Sequence, residues 1–137
     1  MAYNTSDKET INLLNEPALR YERAQQGLSK SDMLTIVSMT GLSLTKFSTL
    51  LPVSKRTVEK VKDDELLPPV VSDRVIQLSS LFQHGAEVFG DVREFRSWLD
   101  TELLALGNRK PFEYLDAGTG ISIVNDLLGR ISHGVYS

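Results

Sequence analysis

Three groups of residues in this sequence have the types and spacing to do chemistry. They are a basic run, SKRTVEKVK (Ser54–Lys62), a glycine loop, DAGTG (Asp116–Gly120), and two histidines, His84 and His133. In the basic run Lys55, Arg56, Lys60 and Lys62 face a single acid, Glu59, and Lys46 lies just before it. Arginine can grip a guanine edge with two parallel hydrogen bonds, and lysine serves phosphate oxygens, so the run fits a nucleic-acid contact. The glycine loop fits a phosphate cradle only loosely. Backbone amides at a helix start bind phosphate, but the loop lacks the P-loop lysine, a preceding strand and the dinucleotide fingerprint. Its simpler reading gives Gly118 a turn, makes Thr119 an N-cap, and leaves Gly120 as a poor helix residue in the first turn. Two histidines do not make a metal cluster or a nucleophile–base–orienter set. His133 followed by Gly134 instead reads as the end of a helix. Asp116 and Asp126 read as capping or solvated groups, and Trp98-Leu99 as core. No catalytic residue, metal site or cofactor is expected.

The elements that must position these residues are helices. Ser29, Ser43 and Ser54 each sit between two apolar residues at the spacing of a hydrophobic staple: Leu28 and Met33, Leu42 and Phe47, Val53 and Val58. Ser29 with Asp32, and Asp91 with Glu94, also read as capping boxes. These signals predict short helices near 30–40, 44–51 and 55–64. Pro68-Pro69 ends that unit. A longer helix follows, with Val71, Val75, Leu78, Phe82 and Phe89 near one side and Gly90 as its stop. The stripe Val92, Phe95, Leu99, Leu103 and Leu106 predicts another helix, closed by Gly107 and Asn108. Pro111 opens a short helix, and the last begins at Thr119. The region before Gly27 has room for one or two helices, with Pro17 a point of interruption.

The helix pair around the turn PVS resembles a helix-turn-helix, whose second helix enters the major groove through its N-terminal residues. On that reading Ser54, Lys55, Arg56, Thr57 and Lys60 are the DNA-binding candidates. Pro52 stands where the usual turn has glycine. Proline is confined to negative φ, so the turn must be built another way.

With 137 residues and a net charge of −3, the chain has the length of one domain or two very small ones. Its surface as a whole does not favour polyanions, although a local basic patch does. It contains no cysteine, which excludes disulfides and thiolate sites. No apolar run reaches the ~20 residues of a membrane span, and no signal peptide is evident, so a cytoplasmic protein without a membrane partner is expected. The tail Val135, Tyr136 and Ser137 reads equally as a free end or as an anchor for a partner.

Two segments, DRVIQLSSLFQHGAEVFG and REFRSWLDTELLALGNRKPFEYLDAGTGISIVNDLLGRISHGVYS, resemble the Xre-type antitoxins of RES–Xre toxin–antitoxin modules, the MbcA/ParS/Xre family. Arg74, Ala86, Phe89-Gly90, Trp98-Leu99, Leu106-Gly107 and Pro111 carry the likeness. Leu115, Gly118, Val124, Leu128, Arg130-Ile131, His133-Gly134 and Val135 extend it. Pro52 and Ser48 depart from the family's usual glycine and alanine. The resemblance implies an all-α protein with an Xre-like helix-turn-helix at 27–67 and a helical dimerisation and toxin-binding domain at 70–137, after an unassigned segment at 1–26. It further implies a RES-domain toxin that consumes NAD⁺, blocked by the C-terminal region through Arg130, His133, Gly134, Val135, Tyr136 and Ser137. Repression of its own operator DNA, as a homodimer, would use the helix-turn-helix, with the stripe from Val75 to Phe89 as one candidate dimer surface. A helix-turn-helix regulator without an enzyme partner is the alternative expectation.

Overall fold

Serine side chains start the helices of the first half. Ser29 Oγ accepts the amide of Asp32 at 3.0 Å, Ser43 Oγ that of Lys46 at 3.1 Å, and Ser54 Oγ that of Thr57 at 3.2 Å. Each satisfies one of the amides a helix N-terminus leaves without a partner. The structure, a computed structural model, describes residues 16–134. Its helices are α1 (Pro17–Gln26), α2 (Lys30–Thr40), α3 (Leu44–Ser48), α4 (Lys55–Lys60), α5 (Pro69–Phe89), α6 (Val92–Leu99) and α7 (Gly118–Ser132). Short 3-10 turns occupy Leu104–Leu106 and Pro111–Tyr114. Among the described residues no strand forms, and extended pairing is limited to isolated bridges, Ser29 with Leu66 and Leu103 with Arg109. The fold is all-α. It comprises two compact units, one up to Ser80 and one from Leu81, with residues of α5 in both.

In the first unit Leu28, Met33, Ile36, Phe47, Val58, Val75 and Leu78 are fully or almost fully buried. All three staple pairs therefore have their second member in the core. Pro17 opens α1 at its first turn, where proline costs nothing because its amide would be unpaired anyway. Arg23 of α1 holds Asp32 at 2.8 Å, so the Asp32 carboxylate serves an ion pair.

α3 and α4 end earlier than the pattern suggests, at Ser48 and Lys60. After α3 the amides of Leu50 and Leu51 bond the carbonyls of Phe47 and Ser48, three residues back, and Pro52 has no amide with which to continue a helix. No residue of the α3–α4 turn has positive φ. Arg74 of α5 donates to the Leu50 carbonyl at 2.8 Å, so a side chain from a third helix helps hold the turn. After α4 the backbone returns to α2. The carbonyls of Asp63 and Glu65 accept the amides of Ser31 and Lys30, and Leu67 donates to the Leu28 carbonyl.

In the second unit Phe95 is fully buried beneath three aromatic neighbours. Phe82 meets it edge-on at 5.1 Å, and Phe89 and Trp98 lie at 6.2 and 6.0 Å. Such ring pairs add about 0.5–1.5 kcal/mol beyond their area burial. α6 keeps Phe95 and Leu99 in the core but stops at Leu99, whereas its stripe predicts a helix to Leu106. The chain folds back as Leu103 donates to the Arg109 carbonyl and Asn108 to the Leu103 carbonyl. Leu106 stays buried while Leu104 is 84% exposed. α5 has Val75, Leu78 and Phe82 fully buried within this chain, which removes most of the Val75–Phe89 stripe as a dimer surface.

Ser48 is 3% exposed, and its hydroxyl finds no hydrogen-bond partner among the described residues. A buried unsatisfied polar group costs about 1–3 kcal/mol. Ser48→Ala is therefore expected to raise stability by about 1 kcal/mol in urea unfolding, and lower stability would show that the hydroxyl is bonded.

Candidate functional site

The basic candidates occupy a short, exposed helix. Ser54, Lys55, Arg56, Thr57 and Lys60 are all exposed, while Val58 pins the opposite side of α4 into the core. The Ser54 and Thr57 hydroxyls lie 2.9 Å apart, so both serve the cap. Lys55 pairs with Glu59 at 3.3 Å, and the Glu59 carbonyl accepts Lys30 Nζ at 3.2 Å. An exposed pair of this kind contributes about 0.2–1 kcal/mol, too little to immobilise Lys55. Arg56 and Lys60 enter no ion pair among the described residues. The helix can thus present cations to an anionic surface without first breaking a strong contact.

The C-terminal candidates lie on α7. Ile121, Val124 and Leu128 face the core at helical spacing. The solvent side carries Asn125, Asp126 and Arg130, with His133 as C-cap and Gly134 in the left-handed region at φ 72°. Positive φ is a conformation glycine adopts without Cβ strain, and it ends the helix. The structure brings together two residues far apart in sequence, because His84 of α5 and His133 line one shallow, open depression with Asn125, Asp126, Gly129 and Arg130. His84 Nδ1 lies 2.7 Å from Asn125 Oδ1, and His133 Nδ1 lies 2.7 Å from the Gly129 carbonyl. A carbonyl oxygen only accepts, so each Nδ1 carries the proton, and in the neutral ring Nε2 remains an acceptor. Sequence reasoning weighed His84 only as a possible metal or catalytic group and missed Asn125, since no motif joins residues 41 apart. Among the described residues no cluster of three potential ligands suits a metal ion. Val135, Tyr136 and Ser137 lie outside the described residues.

Three glycines of this unit behave differently. A Cβ at Gly120 would overlap the Tyr114 carbonyl, and one at Gly85 would enter the Phe95 ring. Gly120 is thus a close-approach residue and not merely a weak helix former. At Gly129 a Cβ would meet nothing within 4 Å among the described residues. The helix begins at Gly118 with Ala117 as N-cap and no side-chain cap bond. Thr119 is therefore not the cap, and backbone packing against Tyr114 holds the loop instead.

Residues 84–134 match the model of the antitoxin Xre/MbcA/ParS C-terminal toxin-binding domain. The C-terminal region is thus similar to the toxin-binding domain of the Xre/MbcA/ParS antitoxins. An antitoxin Xre from Yersinia enterocolitica is 31% identical over 85 residues, covering 61% of this chain and 57% of the relative. One from Photorhabdus laumondii is 31% identical over 67 residues, covering 48% and 45%. The match thus spans roughly half the length of these curated relatives. The fold is similar to a chain of the M. tuberculosis MbcT–MbcA toxin–antitoxin complex, with TM-score 0.60, 21% identity, and coverage of 79% of this chain and 96% of that one. The Xre/MbcA/ParS match includes His84, Arg130, His133 and Gly134 and stops there.

The glycines of α7 predict stability changes of opposite sign. Gly120→Ala is expected to cost about 1–3 kcal/mol or more through overpacking, and Gly129→Ala to add about 0.5–1 kcal/mol of helix stability. Thr119→Ala should stay within about 0.5 kcal/mol, as for a surface change without a cap. Thermal unfolding of the three variants checks the order.

Proposed function

We propose that this protein is the antitoxin of a toxin–antitoxin pair. Its C-terminal domain binds a RES-domain toxin and blocks that enzyme's access to NAD⁺, and its helix-turn-helix, acting as a homodimer, represses its own operon. The match of residues 84–134 to a toxin-binding domain carries the reading. The exposed, chemically varied face of α7 supports it, since a face turned to solvent has groups to offer a partner. The protein itself is a binding protein, not an enzyme: NAD⁺ belongs to the toxin, and this chain needs no cofactor. No helix among the described residues is long and apolar enough to cross a membrane, and both partners, promoter DNA and an NAD⁺-consuming enzyme, fit a cytoplasmic role.

Arg130, His133 and Gly134 lead into Val135, Tyr136 and Ser137, which enter the toxin's pocket. Burying a valine and an aromatic side chain contributes about 1.5–3 kcal/mol each, and about 1.4 kcal/mol is tenfold in affinity. A chain ending at Gly134 is therefore expected to lose about a hundredfold or more in toxin affinity. Its melting temperature should stay within a few degrees. The measurement is NAD⁺ consumption by the RES-domain protein of the adjacent gene against added antitoxin, and equal inhibition by the shortened chain would place the block on α7 alone.

The second role rests on α4. Lys55→Ala with Arg56→Ala should abolish the promoter gel shift, and each lost phosphate contact should lower the salt slope by about one unit. Inhibition of the toxin should be unchanged. A wild-type protein that shifts the promoter but binds no toxin would be a plain transcriptional regulator.

A further inference from the structure

Among the described residues nothing requires Gly129 to be glycine. It lies inside α7 without positive φ, and a Cβ there would have open space. Helix interiors favour alanine over glycine, so the residue weakens the helix without relieving any crowding. The same unit shows what a glycine required by packing looks like, at Gly85 and Gly120, where a Cβ would collide. The space above Gly129 is open because the helix surface is bare there, and its rim is polar. His84, Asn125, Asp126, Arg130 and His133 complete the depression.

The rim is also partly organised. His84 and His133 each have Nδ1 held by an oxygen at 2.7 Å, which limits ring rotation and leaves Nε2 as the group a neighbour can use. Arg130 is exposed and forms no ion pair among the described residues, even with Asp126 one turn before it. Its planar fork suits a carboxylate gripped through two hydrogen bonds.

We infer that Gly129 is a close-approach contact for the toxin: a loop of the toxin lays its main chain on the bare helix surface, donating to His84 and His133 and placing an acidic side chain on Arg130. This rests on the antitoxin reading above and extends its contact from the chain end back along α7 to α5. The toxin is the occupant because the depression falls within the span matching a toxin-binding domain and shares Arg130 and His133 with the proposed contact at the chain end.

The test uses the full chain and the RES-domain protein of the adjacent gene, with affinity from isothermal titration. Gly129→Ala should melt no lower than wild type, yet bind the toxin about tenfold more weakly, and Gly129→Leu about a hundredfold more weakly or worse, the scale set by overpacking a close contact. Both variants should keep the promoter shift, which shows that they are folded. If wild type binds and both variants bind as tightly, the close approach is refuted while the antitoxin reading stands. If wild type does not bind the toxin at all, the antitoxin reading fails and this contact with it.

Discussion

The C-terminal unit depends on one backbone-on-backbone contact, the first turn of α7 against the carbonyl of Tyr114 at Gly120. Only a residue without Cβ allows that approach. It sets where α7 starts, and the rest of the helix follows at 1.5 Å per residue. Ile121, Val124 and Leu128 then fall on the core, while Arg130 and His133 fall on the solvent side. The glycine-rich loop therefore acts through packing. The same sequence that suggests a phosphate cradle is better explained by the need to bring two chain segments closer than any side chain permits.

A different device serves the first unit. Its helices are too short to be stable alone, since nucleating a helix costs more than a few turns return. Serine caps and the apolar residues flanking them supply start signals, and burial of Met33, Phe47 and Val58 supplies the energy. The turn into α4 contains no left-handed residue. It is held by consecutive three-residue hydrogen bonds and by Arg74 reaching the Leu50 carbonyl. Glycine is thus one solution to that turn, and a proline followed by a capping serine is another.

What was legible in the sequence was local. Caps, staples and helix-ending glycines are signals within about five residues, and they located α2, the starts of α3 and α4, and the end of α5 at Gly90. The ends of α3, α4 and α6 were not legible, because each is decided by distant partners: Arg74 for the turn after α3, Leu28 to Ser31 for the chain after α4, and Arg109 for the chain after α6. Thr119 has the residue type of a cap and occupies the first turn next to one, yet the backbone at Ala117 takes that place. The candidate surface divides in the same way. Arg130, His133 and Gly134 could be read from the end of a helix, whereas His84 joins them only because α5 and α7 meet through Asn125.

The contrast between Gly120 and Gly129 shows why residue type alone does not reveal purpose. Both are helical, both lie in α7, and both would score as weak helix formers. At Gly120 the folded chain fills the space a side chain would need, so the cost in helix propensity is offset by packing within the molecule. At Gly129 the described residues leave that space empty, and nothing among them offsets the cost. A residue that is unfavourable to its own fold, set between two histidines with anchored rings and an arginine without an ion pair among the described residues, makes physical sense when the compensating contact comes from a second protein.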